Sequence, residues 1–332
     1  MSEERQSPPP WKGVLGLAGG MFLGAVLLVA AWGKILDPAA FARQITLEGL
    51  DFLLPAGAVA VLALALEVGL GSALLLGLRR LWVLVPTALL VLFFVGLTGR
   101  AYWLTAHGLR DPAESCGCFG NLVQRSPAEA FWQDLLLLVP PLLLAFVAPS
   151  WGSRRGVRAR SLVAAVLTIA GLVFAWKAPE LPLDDLATRL KPGVAVSDLC
   201  IGDGAERVCL DMVVPELDQG SHVVVLADLD AEGFTSSVDA LNDYVFAGEG
   251  PTLWVLSSAD QARLRRFFFE RAPSFEIREA PGPLMQPLYR RLPRSFEVVD
   301  GRVVRTYPGL PPLDRLATSE TGDATPAHQE AS

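Results

Sequence analysis

Five stretches of this chain carry almost no charge, and they dictate most of what it can fold into. Residues 13–33, 81–99, 135–153 and 161–176 contain no Asp, Glu, Lys or Arg, and 52–78 contains only Glu67. A bilayer's hydrocarbon core asks for about 20 apolar residues of helix. Four of the runs therefore predict membrane-spanning helices, while the sixteen residues of 161–176 are marginal.

Tryptophan predicts the same boundaries, because an indole ring prefers the headgroup layer, where its body is buried and its N–H stays wet. Trp11 and Trp32 bracket the first run, Trp82 and Trp103 the third, Trp132 and Trp151 the fourth, and Trp176 closes the fifth. The first run is too long for a cleavable signal peptide and lacks a clear small-x-small site, so it is expected to stay as an anchor. Orientation follows from Lys and Arg near the helix ends. One side collects Arg5, Lys12, Arg79, Arg80, Arg154, Arg155, Arg158 and Arg160; the other collects Lys34, Arg43, Arg100, Arg110 and Arg125. The expectation is an inner-membrane protein with a cytoplasmic N-terminus and, if the short fifth run spans, a periplasmic C-terminal half.

Charge divides the chain in two. Residues 1–177 hold 14 basic and 10 acidic side chains, and residues 178–332 hold 14 and 25. A greasy half is followed by a soluble, acidic one, which excludes a single globular enzyme, a disordered polymer and an obvious nucleic-acid binder.

The four cysteines fall in two close pairs that avoid both the spans and the expected cytoplasmic side, the placement disulfide chemistry requires. Cys116 and Cys118 lie in ESCGCFG. A bond between residues two apart closes a very small ring, and strained bridges of that kind tend to be oxidising and labile. Gly117 and Gly120 permit a tight turn, and Ser126-Pro127-Ala128-Glu129 has the form of a capping box that starts the next helix near Pro127. A redox pair, a structural bridge and a metal site are all readings of this loop; the last has only His107 nearby, and three histidines in the whole chain leave metal catalysis little to build on. Cys200 and Cys209 flank a hairpin whose turn at Gly204-Ala205 would pair them across two strands with Cα atoms roughly 4.5 Å apart. A structural bridge and a redox relay are the two readings there.

Glu67 is the one ionisable residue inside a run, and reads either as a functional carboxylate or as a hydrogen-bonded packing residue. Lys34, at the outer end of the first run, is expected to snorkel, and depth arithmetic at 1.5 Å per residue predicts no direct contact between the two.

The segment Gly33-Lys34-Ile35-Leu36-Asp37-Pro38 with Phe41, the run Leu66-Glu67-Val68-Gly69-Leu70-Gly71, and Cys116-Gly117-Cys118-Phe119-Gly120 together resemble the MauE/DoxX family of redox-associated membrane proteins. The resemblance implies a four-helix membrane bundle over 13–150, with Cys116 and Cys118 as the redox pair, supported by Gly117, Phe119, Gly120, Glu67 and Lys34. It also implies a link to methylamine utilisation, through assistance of periplasmic disulfide formation.

In the acidic half, 222–228, 252–257 and 275–278 read as strands, 236–246 and 259–271 as helices, and 295–299 with 302–307 as a hairpin around Asp300-Gly301. Alternating elements that end in a hairpin predict an α/β domain with a mixed sheet. The pattern resembles a membrane-tethered, TlpA-like thioredoxin-like domain, with Pro293 at the family's cis-proline position. Where the family carries CxxC, this chain reads Ala231-Glu232-Gly233-Phe234, and without thiols thioredoxin chemistry has no seat there.

The expected architecture is thus an α-helical transmembrane bundle, a four-helix MauE/DoxX-like core plus a fifth tethering helix, followed by an α/β thioredoxin-like domain. Its parts are a cytoplasmic N-terminus 1–12, the bundle 13–150, a cytoplasmic basic loop 151–160, a fifth span 161–177, a linker 178–194, the α/β domain 195–315 and a disordered tail 316–332. The expected function is thiol–disulfide exchange through the CxC pair with a periplasmic thiol or disulfide protein in the setting of a lipid bilayer. No cofactor is expected to be bound covalently, and analogy with other four-helix thiol oxidases suggests a membrane quinone as electron acceptor. The alternative is a non-catalytic scaffold whose degenerate thioredoxin-like domain recruits another protein.

Overall fold

A computed structural model describes residues 10–109, 125–147, 154–202, 207–248 and 250–318. The chain divides between Leu183 and Asp184 into two compact units.

The first unit is helical: α1 (Pro10–Leu36), α2 (Pro38–Leu47), α3 (Ala56–Leu75), α4 (Leu81–Ala106), α5 (Pro127–Val147) and α6 (Arg154–Lys177). All except α2 are long and apolar enough to cross a membrane, so the protein is a membrane protein with five candidate spans. Small residues let the helix backbones approach closely, the usual means of packing where lipid removes the hydrophobic drive between helices. At Gly24 of α1 an added Cβ would stand 2.7 Å from the carbonyl oxygen of Gly71 in α3. At Gly19 it would stand 2.7 Å from the carbonyl oxygen of Pro141 in α5.

Two features differ from the sequence reading. The residues expected to form a basic loop over 151–160 include the first turns of α6, which starts at Arg154; arginine is a good helix former, and its charge carries no information about where a helix begins. A short helix also follows α1 without warning. In α2 the Asp37 side chain accepts the Ala40 amide at 3.0 Å and Pro38 occupies the first turn, a standard start in which the cap satisfies a donor and proline lacks one.

The second unit contains α7 (Asp184–Ala187), β1 (Cys200–Ile201), β2 (Val208–Cys209), α8 (Leu210–Val213), β3 (Ser221–Leu226), α9 (Glu232–Thr235), α10 (Val238–Ala247), β4 (Thr252–Ser257), α11 (Gln261–Arg271), β5 (Glu276–Glu279), α12 (Gly282–Met285), β6 (Arg294–Val299), β7 (Arg302–Tyr307) and α13 (Leu313–Thr318). Its main sheet runs β5-β4-β3-β6-β7. Strands β3, β4 and β5 are parallel, β6 is antiparallel to β3, and β7 is antiparallel to β6. The β6–β7 turn places both Asp300 and Gly301 at positive φ, 47° and 75°, the conformation that an Asp-Gly hairpin turn adopts.

Strand alternation divides the core between two faces. Val224, Leu226, Trp254, Leu256, Phe296 and Val298 face one cluster; Val223, Val225, Leu253 and Val255 face another with Phe234 and Phe267. A sheet covered on both faces explains why β3 is continuously apolar instead of alternating.

The chain enters this unit earlier than the boundary expected at residue 195. Arg294, 1% exposed, donates to the Leu288 and Leu190 carbonyls at 2.8 and 3.1 Å, to the Asp185 carboxylate at 2.9 Å and to the Thr188 hydroxyl. Those bonds tie 185–190 to the sheet, so the connecting segment shortens from the expected 178–194 to 178–183. At the far end α13 continues to Thr318 with Leu316 in the core, three residues into the expected tail; 319–332 lies outside the described residues.

Candidate functional site

The interior of the bundle holds two ionic contacts arranged around one cavity. Lys34 and Glu67 form a direct ion pair and are 2% and 0% exposed. This overturns the expectation that Lys34 snorkels out of contact. The contact of Gly24 with Gly71 sets α1 and α3 antiparallel, which places the Cα of Lys34 about six residues, or about 9 Å, above that of Glu67. Helical side chains tilt toward their own N-terminus. In an antiparallel pair that tilt sends Lys34 down α1 and Glu67 up α3, and the side chains close the gap that Cα levels alone leave open.

The Lys34 ammonium also lies over two aromatic faces, 5.1 Å from the Phe41 ring centre and 5.0 Å from that of Phe94. An aromatic quadrupole stabilises a desolvated cation, and Phe41 reaches it because α2 folds back against α3. Glu67 Oε2 finds no hydrogen-bond partner among the described residues and is fully buried.

Asp134 of α5 shares a cavity with Lys34, lined also by Val26, Leu27, Ala30, Phe94 and Leu138, with about 20 Å³ of free volume. That is room for one water molecule. The Asp134 carboxylate accepts from Arg125 at 3.2 Å, both side chains being nearly buried. Arg125 directly precedes the cap of α5, where Ser126 and Glu129 exchange bonds of 3.3 and 3.2 Å between their side chains and backbone amides. Glu67, Lys34, Asp134 and Arg125 thus run from the bundle interior to the chain segment preceding α5. The pair Arg125–Asp134 was not anticipated from sequence. Asp134 falls within the helix expected to start near Pro127, one residue before the uncharged run at 135, and nothing in the linear pattern points to Arg125 as its partner.

Cys116, Gly117, Cys118, Phe119 and Gly120 lie outside the described residues, as does the turn at Gly204-Ala205.

In the second unit Cys200 and Cys209 are disulfide-bonded and opposite each other across β1 and β2, with Cα atoms 3.9 Å apart. Cys209 is buried and Cys200 partly exposed. The guanidinium of Arg207 lies 3.2 Å from Cys200 Sγ, and Arg189 donates to the Cys200 carbonyl at 2.8 Å; burial lowers the pKa of Arg189. Among the described residues Cys200 is the more exposed of the two, and thiolate attack there would expel Cys209 as a thiolate into an apolar setting, an unfavourable leaving group.

Ala231 caps the short α9, and the ring of Phe234 is fully buried between Phe267 and Phe275, with ring centres 5.9 and 6.3 Å away. The Leu292–Pro293 bond is cis, and a Cβ on Gly233 would lie 4.0 Å from Pro293 Cδ. The structure therefore brings 231–234 beside Pro293, with a core phenylalanine at the end of the segment.

A helical bundle with five candidate spans and paired ionisable groups in its interior defines the first unit as a polytopic membrane protein. Residues 12–148, from the start of α1 through α5, match the family model for "Methylamine utilisation protein MauE". The match covers less than half of the chain and leaves out α6 and the second unit. No curated protein matches this chain.

Proposed function

We propose that the protein is a MauE-type membrane thiol–disulfide exchanger, with Cys116 and Cys118 as its redox pair and a non-catalytic second unit that binds its partner. The observation that carries this reading is the buried line Glu67, Lys34, Asp134, Arg125, which ends at the segment that follows the CxC loop in the chain. Buried ionisable groups in a membrane are costly and mark pathways for ions, protons or substrate.

The exchange balances without a bound cofactor. A partner thiolate attacks one sulfur of the Cys116–Cys118 disulfide and the other sulfur leaves; the partner's second thiolate then releases the partner as a disulfide. Two electrons and two protons pass from the partner's thiols to Cys116 and Cys118, and the reverse exchange with another protein disulfide restores the pair. Asp134 and the water-sized cavity beside Lys34 are suited to hold a proton during these steps.

The cavity beside Lys34 has room for a single water and is too small for a quinone ring. The groove of about 300 Å³ lined by Ala65, Gly69, Leu70, Trp82, Ala164 and Thr168 among others has no ionisable side chain to orient a quinone ring.

Orientation follows the charge bias, N-terminus in the cytoplasm and second unit in the periplasm. For the second unit, the strand order, the cis Pro293 and the position of 231–234 next to it support a thioredoxin-like fold. Phe234 in place of a thiol supports recruitment over catalysis, and the inaccessible Cys209 supports a structural bridge. The methylamine-utilisation setting rests on the family match alone.

Alkylation of intact cells tests the reading. Cys116 and Cys118 should become modifiable only after reductant, and the double serine variant should lose disulfide formation in a partner assay while Cys200→Ser/Cys209→Ser keeps it. An inert pair, or full activity without it, sinks the proposal.

A further inference from the structure

Helix α11, sequence QARLRRFFFER, is a basic island in a unit whose acidic residues otherwise dominate: four arginines and one glutamate in 11 residues. Its inner side is accounted for. Phe267 and Leu264 face the core, while Arg263 pairs with Asp230 at 2.7 Å and Glu270 at 3.4 Å. Helical spacing gathers Ala262, Arg265, Arg266 and Phe269 on the other side and puts Phe268 at the flank, one turn beyond Leu264; these five are exposed. Arg265 and Arg266 enter no ion pair among the described residues. Phe269 is 86% exposed and Phe268 58%.

A third exposed ring lies on α10, which is tied to the end of α11. Asn242 of α10 ties itself to the end of α11, accepting the Ser274 amide at 2.7 Å and donating to the Ala272 carbonyl at 3.4 Å. One turn further on, Phe246 is 76% exposed. Two exposed phenylalanines on α11 and one on α10, with two arginines outside any ion pair among the described residues, make the composition of a surface that lies in the headgroup layer: rings in the acyl boundary, guanidinium groups at phosphate level.

We infer that α11 is a lipid-docking helix. Arg265 and Arg266 bind the phosphates of anionic phospholipid while Phe268, Phe269 and Phe246 enter the outer acyl layer. Charge complementarity favours lipid over an ordinary protein surface, because an acidic unit needs a local basic face to approach an anionic bilayer at all. Supply favours it as well: the unit is joined to a spanning helix through residues 178–183, so a bilayer is present at high effective concentration.

Hydroxyl-radical footprinting of the full chain in nanodiscs tests this. Labelling of Phe268 and Phe269 should be at least threefold lower in discs containing phosphatidylglycerol than in pure phosphatidylcholine discs. The protection should fade in 0.5 M salt, vanish in Arg265→Glu/Arg266→Glu and persist in Arg265→Lys/Arg266→Lys. Unchanged labelling of Tyr244, beneath the surface, controls for folding. Equal labelling of the two phenylalanines in both kinds of disc overturns the inference, as does protection that arises only when an acidic protein is added.

Discussion

Lys34 in the bundle and Arg294 in the second unit are both nearly inaccessible cations, and the two units neutralise them differently. Lys34 has one directly paired carboxylate, itself fully buried, a second, Asp134, on the cavity they share, and two aromatic faces. Arg294 spreads its charge over two backbone carbonyls, a hydroxyl and the half-exposed Asp185. In the first arrangement a single partner makes the one direct ionic contact to the cation among the described residues. In the second, several weak partners share the charge, and solvent reaches the anion. The bundle therefore concentrates electrostatic risk at one contact, while the soluble unit distributes it.

The largest expected effect breaks the concentrated contact. Lys34→Leu or Glu67→Leu leaves the other charge buried alone and should destabilise the bundle by about 3–5 kcal/mol. The double variant should regain most of that loss. Thermal unfolding in detergent reads both, and equal damage in single and double variants would show that packing, not charge, holds the site.

Arg294→Met sharpens the other side of the comparison. Shared bonding predicts a loss of about 3 kcal/mol, the order of one or two hydrogen bonds to a charged group. Amide exchange should rise first at 184–190, the segment this arginine ties down. If the loss equals that of the Lys34 variants, distribution of partners offers no protection.

Opening the Cys200–Cys209 bridge comes next. Its nine-residue separation implies roughly 2–3 kcal/mol from loop entropy, confined to the second unit. A change in the bundle's melting on Cys200→Ser/Cys209→Ser would contradict that confinement.

The smallest effect is one of pH. Burial, then the hydrogen bond to Glu297, raises the pKa of the Tyr307 hydroxyl. A raised folded value means that its contribution is fully present below the ordinary tyrosine pKa near 10 and is lost as pH climbs through the folded one. Tyr307→Phe should flatten the alkaline limb of the second unit's stability curve, and an unaltered limb would exclude this tyrosine as its source.

Sequence reading succeeded where periodicity carries the information. The uncharged runs located the spanning helices, and the apolar β3 and β4 runs with the Asp-Gly turn located the sheet and its hairpin, because burial on one or two faces leaves a linear trace. It failed where position depends on side-chain direction or on neighbours far away in the chain. Lys34 and Glu67 lie at different heights until the tilt of their side chains is included. Arg294 opens a strand and looks like a surface flank until Asp185, Thr188 and Leu190 arrive more than a hundred residues from the N-terminal side. Asp134 lies inside the helix that the capping box at Ser126 starts, but its pairing with Arg125, nine residues back, leaves no trace in periodicity. Phe234 was recognised as an absent thiol, but its place between Phe267 and Phe275 needed the fold.

Helix α6 has a consequence for the surrounding lipid. Its 24 residues extend about 36 Å, yet the uncharged part, 161–176, covers only about 24 Å. A hydrocarbon layer near 30 Å thick is too deep for it, so the bilayer must pinch around this helix or Arg158 and Arg160 must stretch their stems to reach the headgroups. Either adjustment has a modest cost for each ångström of mismatch. The protein should accordingly partition toward thinner bilayers, a sorting preference set by one short greasy segment.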